Sequence, residues 1–129
     1  MTFITVFFVA LTLNLLWEFW HWRYYETCLR MLPVERQLLL ATMSVKDAVW
    51  ITIFYGIATS GLFLHGWKLV LAVAVMGLMF SYTDERVSLY LKRWEYAVNM
   101  PRVLGVGLWP LLELAVTGAI STFITVILF

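Results

Sequence analysis

Four long stretches of this chain carry no Asp, Glu, Lys or Arg, and their lengths decide the fold class. A hydrocarbon layer of about 30 Å takes about 20 mostly apolar residues at 1.5 Å per residue. Thr2 to Trp17 is uncharged and continues past Glu18 to Trp22, and Ala48 to Trp67 is uncharged throughout. Leu69 to Thr83 is extended by Lys68, whose stem can lie in the apolar zone while its ammonium reaches the interface. Leu114 to Phe129 extends backwards past Glu113 to about Leu108. The fold expected is all-α: a polytopic membrane protein, four transmembrane helices in one bundle and one domain over residues 1–129. The helices are expected at about 2–22, 47–66, 68–84 continuing to about 97, and 108–129. A β-barrel would show alternating segments of about ten residues instead. The first stretch lacks the basic region and small-residue cleavage site of a secretory signal, so it is expected to stay as a helix.

Composition agrees: 63% of residues are apolar and 13% charged, against roughly 45–50% and 25% in soluble domains. A net charge of +1 gives no electrostatic footprint for nucleic acid. The single cysteine, Cys28, excludes an internal disulfide and a multi-cysteine metal site, and it has no thiolate-stabilising surroundings beyond Arg30.

Charge asymmetry orients the bundle. Arg23, Arg30, Arg36 and Lys46 follow the first helix and Arg86, Lys92, Arg93 and Arg102 follow the third, whereas the connection between the second and third has only Lys68. The positive-inside rule places the two basic loops in the cytoplasm and both termini outside. Within the first loop, Val34 to Met43 after Pro33 reads as an interfacial segment. Gly105 and Gly107 read as a flexible re-entry, and Pro110 suits the first turn of the last helix. Gly56 with Ser60 and Ala115 with Ala119 are the expected sites of close helix approach.

The same placement puts all the carboxylates in the cytoplasmic half, and of the Trp and Tyr residues only Tyr55 and Trp67 lie elsewhere. Glu18 and Glu113 fall about 24 Å from the outer end, roughly a turn inside the core. Asp47 and Glu85 approach the same level from the loop side. Ionisable groups at such depth cost several kcal/mol and by default face the interior and serve function. Plain structural roles stand beside this. Ser44 and Asp47 have capping-box spacing, Glu113 can partner a helix dipole, and Glu85 can pair with Lys92 or Arg93. Glu18, in the last turns of its helix where the dipole disfavours an anion, has the weakest such account. Asn14, Glu18 and either His21 or Trp22 share one helix face. Glu18 and His21 also form a Glu-x-x-His pair, the spacing of di-iron bundles, but the chain has no second such pair and His65 falls at the opposite surface. The expectation is therefore no metal site, with His21 and Glu18 the only candidate ligands, and no cofactor required.

Asn14-Leu15-Leu16-Trp17-Glu18, Asp47, Glu85, Trp94 to Tyr96, Met100-Pro101 and Gly105-Val106-Gly107-Leu108-Trp109-Pro110-Leu111 together resemble a family of small four-helix prokaryotic membrane proteins with no assigned activity. That family's pattern has Gln near the positions of His21 and Glu113 and a shorter first loop. The resemblance thus carries over Asn14, Glu18, Asp47 and Glu85, and weakens a metal site built on His21.

Three functions fit these residues. The first is an intramembrane acid/base enzyme on a lipid-like substrate, an isoprenoid, quinone-type or fatty chain. Glu18 would be its acid or base, Asp47 or Glu85 the counterpart and Asn14 the orienting group, with Trp17, Tyr25, Trp94, Tyr96 and Glu113 around the substrate. The second is a proton- or cation-coupled transporter, expected as a homodimer. The third is an accessory or assembly subunit of a larger membrane complex.

Overall fold

A computed structural model describes residues 2–128. Its long helices are α1 (Thr2–His21), α3 (Pro33–Gly56), α4 (Gly66–Tyr90) and α5 (Leu108–Leu128). A helical turn, α2 (Glu26–Leu29), lies between the first two, and a hairpin of β1 (Arg102–Val103) and β2 (Val106–Gly107) precedes the last. Four spans are long and apolar enough to cross a membrane: Thr2–Tyr24, Pro33–Gly61, Gly66–Tyr90 and Leu108–Leu128. The distribution of polarity is that of a lipid-dissolved bundle. Phe8, Leu16, Met79 and Phe123 lie more than half exposed on the outside, while Asn14, Ser44, Ser81, Thr117 and Ser121 are buried between helices. The chain is an all-α, four-helix polytopic membrane protein.

Two boundaries differ from those the sequence predicts. The second helix begins at Pro33 and not at 47, so Val34 to Met43 is part of the span and not a separate interfacial segment. Leu32 is extended, as a residue before proline must be, and Pro33 supplies the fixed φ of a first helical turn, with Glu35 at its positive end. Leu38, Leu39 and Leu40 then propagate it without a breaker. At 24 residues α3 is about 36 Å long. The third helix ends at Tyr90 instead of running to about 97. Lys92 turns left-handed at φ 56°, the Arg93 N–H bonds the Ser88 carbonyl at 2.9 Å and the Lys92 N–H bonds that of Leu89 at 3.1 Å. That is a Schellman stop with lysine in the position glycine usually takes. It reverses the chain toward the bundle.

The expected flexible re-entry is the β1–β2 hairpin. Val103 pairs with Val106 across Leu104 and Gly105, both at positive φ (52° and 82°), as a two-residue primed turn requires. The helices close into a ring in which α1 packs on α3 and α5, and α4 on α5 and α3. The tightest approach is at Gly77 of α4, where a Cβ would meet the Leu114 carbonyl oxygen at 2.7 Å. Ala115 and Ala119 are only half buried, and Gly56 is covered by the Phe3 ring.

One half of the bundle is filled by Val6, Ala10, Ala48, Ile51, Phe54, Val73 and their neighbours. The other end is closed by the two basic loops, which pair like strands. Tyr25 and Tyr96 form a bridge, the Glu26 N–H donates to the Glu95 carbonyl at 2.9 Å and the Ala97 N–H to that of Tyr24 at 2.8 Å. Apolar filling on one side and a built polar end on the other set the position of the site.

Candidate functional site

Between the bundle and its loop cap lies a half-enclosed cavity of about 270 Å³. Each long helix contributes acid to its wall: Glu18 from α1, Asp47 from α3, Asp84 and Glu85 from α4, and Glu113 from α5. His21, Tyr25, Ser81, Lys46, Arg93 and Trp94 complete the polar lining, and Met31, Leu39, Leu40, Met43 and Leu114 make an apolar flank. All of Glu18, His21, Asp47, Glu85 and Glu113 are buried.

The helix geometry removes the structural account of Asp47. Because α3 starts at Pro33, Asp47 sits in mid-helix, and the Ser44 hydroxyl donates to the Leu40 carbonyl at 2.8 Å instead of capping anything. Lys46 contributes its ammonium to Asp84 at 3.2 Å and lies 4.0 Å from Asp47, so the closer pairing draws that cation toward the rim. Glu18, Asp47 and Glu113 face the same cavity, and Glu18 and Glu113 each offer an oxygen within 4.8 Å of the other. Ionised carboxyl oxygens only accept, so such a contact closes only with a proton or a cation between the groups.

Glu85 is differently placed. The Tyr25 hydroxyl donates to its Oε1 at 3.3 Å, and the Trp94 indole N–H and Tyr96 hydroxyl donate to its Oε2 at 3.3 and 2.5 Å. Tyr96 must be the donor, since its oxygen already accepts the Gly107 N–H at 2.9 Å. Neither Lys92 nor Arg93 is the partner; the Schellman turn instead carries Trp94 and Tyr96 back to this carboxylate. Burial, then the Glu85 charge, holds the phenols of Tyr25 and Tyr96 well above the ordinary tyrosine value, so both stay donors. Burial likewise pushes the Cys28 thiol up to about 11, in keeping with an inert cysteine.

Not every expected residue reaches the cavity. Asn14 is fully buried but stands away from the lining: its amide donates to the Ala10 carbonyl at 2.8 Å and its oxygen accepts the Thr117 hydroxyl at 3.2 Å, a clasp between α1 and α5. Trp17 points to a shallow outer groove with Leu13, Trp20 and Ile120. Tyr96 acts from behind Glu85. Missed by sequence reasoning were Ser81, one turn before Glu85, and the Lys46–Asp84 pair at the rim. The i, i+4 spacing of Ser81 was a legible signal, whereas the Lys46–Asp84 contact joins two helices.

Most informative is His21. Its Nδ1 lies 3.1 Å from the Trp17 carbonyl, which can only accept, so that nitrogen carries the proton. Its Nε2 is then a bare lone pair, 4.0 Å from Glu113 Oε1. Glu18, His21 and Glu113 each offer one ligand atom within 4.8 Å of the others. Comparison with protein families, curated proteins and solved structures finds no match to this chain.

Proposed function

We propose that this chain is a membrane-embedded acid/base enzyme acting on a lipid-like substrate at the cytoplasmic end of its bundle, in a prokaryotic cytoplasmic membrane. The observation that carries the reading is the joining, in one cavity, of facing carboxyl groups from α1, α3 and α5 with an apolar flank from α3. Such a cavity suits an amphiphile with its reacting end among the acids and its chain along Leu39, Leu40 and Met43. Asp47, which caps no helix and has only Lys46 at 4.0 Å beside it, takes a proton from the substrate. The Glu18–Glu113 pair, sharing one proton in this scheme, gives it to the substrate at a second position, and the proton taken up by Asp47 then passes to the pair, which restores both groups for the next cycle. Glu85, with three donors on it, positions the cap in this scheme. The apolar filling of the opposite half favours a one-sided site over a transport path.

Lipid analysis tests the reading. The full chain and its Asp47→Asn variant would be produced in bacterial membranes, and lipid extracts and co-purifying lipids compared by mass spectrometry. The expected result is one amphiphile class depleted by the wild type, retained on the variant and restored in the membrane when only the variant is present. Identical profiles for wild type, variant and empty membrane, with both proteins folded, would overturn it.

A further inference from the structure

We propose that Glu18, His21 and Glu113 form a binding site for a divalent first-row transition ion of the zinc type. The inference goes beyond the acid/base reading, because it concerns what holds Glu18 and Glu113 together and does not depend on any substrate.

Geometry and donor chemistry both carry it. One ligand atom from each residue falls within 4.8 Å of the others; His21 Nε2 is 4.0 Å from Glu113 Oε1, and Glu18 Oε2 stands 3.8 Å from Nδ1 of the same ring. Tetrahedral coordination at about 2.0–2.2 Å puts donors about 3.4 Å apart, so the two carboxylates rotate inward, that of Glu18 toward the Nε2 edge of the ring, to close the set. Glu113 is 4% exposed, faces the cavity, and its Oε2 has no hydrogen-bond partner among the described residues. A buried carboxylate oxygen left without a donor is costly in any bundle and more so in lipid. The His21 lone pair meets the same problem from the other side: at Nε2 it can accept a proton or a metal, and what faces it is carboxylate oxygen. One cation satisfies all three groups at once.

The surroundings fit as well. The Nδ1–H bond from His21 to the Trp17 carbonyl fixes the tautomer and ring orientation, as the outer partner of a metal-bound histidine does. Imidazole with two carboxylates is a borderline donor set that suits zinc, iron(II) or manganese(II) better than calcium or magnesium. Three protein ligands leave a position open toward the cavity, the pattern of a reactive site and not of a closed structural one. In this form the ion takes the place of the proton between Glu18 and Glu113, and Asp47 is left free.

Cobalt binding is the test. The full chain in lipid nanodiscs would be stripped with a chelator and titrated with Co²⁺ alone, following the visible absorption of the bound ion. One equivalent per chain, displaced by Zn²⁺, is expected. His21→Ala and Glu113→Gln should each weaken binding by about 100-fold or more, at or beyond the upper end of losses from outer-shell substitutions. Tyr90→Phe, on the exposed surface, should leave it unchanged. Absence of saturable Co²⁺ binding by wild type of intact helicity would overturn the inference, as would unchanged affinity in folded Glu113→Gln. Metal binding with no lipid turnover by either the loaded or the stripped protein would remove the acid/base reading alone; turnover by stripped protein that binds no Co²⁺ would remove only the metal.

Discussion

Tyr96 links three parts of the molecule through one oxygen, accepting from the hairpin at Gly107 and donating to Glu85 on α4. Tyr96→Phe leaves the Gly107 N–H without its acceptor and takes the shortest donor from a buried carboxylate. A loss of about 1–3 kcal/mol is expected, read as a lowered unfolding temperature in detergent. The pH dependence has a definite sign. Burial and the Glu85 charge hold the folded phenol above its ordinary 10.0, so its contribution is complete below that value and fades as pH rises beyond it. The variant should lack that alkaline step, and an equal step in both proteins would assign it elsewhere. At this scale the sequence was half legible. Depth alone singled out Glu18, Asp47, Glu85 and Glu113. The division of labour among them was not visible, because the donors to Glu85 sit 9 to 60 positions away and arrive through a turn whose lysine gives no sign of its left-handed conformation.

Helix lengths were legible where a proline or a charge marks an end, as near Leu108, and misleading where an amphipathic segment with a few charges belongs to the helix. Val34 to Met43, with Arg36 inside it and Arg30 just before, reads as an interfacial segment within the first loop, yet Pro33 starts a helix as readily as it ends one. That difference matters, for it moves Asp47 from a helix start to mid-helix and so withdraws its capping role. Helix contacts follow the same logic. Small residues were the right class to look for, but the decisive one is Gly77, at whose Cβ position the α5 backbone already stands. Gly77→Val should therefore force α4 and α5 apart, costing about 1–3 kcal/mol or more as overpacking against backbone that cannot rotate away. Ala119→Val, on a half-buried position, should cost much less. Comparable unfolding temperatures for the two variants would show that the α4–α5 seam is elsewhere.

Across the whole molecule, polarity is segregated along the bundle axis, and this is what gives the site its side. The acids, the loop cap and the cavity lie at one end, and the Leu62–His65 connection lies at the other. The basic residues gathered in the two capping loops predict, through the positive-inside rule, that the cavity faces the cytoplasm, the rule's basis being the cost of moving Lys and Arg across during insertion. Cysteine labelling of intact cells checks the assignment in a Cys28→Ser background. His65→Cys should react with a membrane-impermeant maleimide from outside, and Glu95→Cys, exposed beside Arg30 on the cap, should react only after permeabilisation. The reverse pattern would turn the site outward and exclude any substrate or metal ion supplied from the cytoplasm. Because apolar side chains fill the half of the bundle beyond the cavity, the side on which Glu95→Cys reacts is the side from which Glu18, Asp47 and Glu113 are expected to be served.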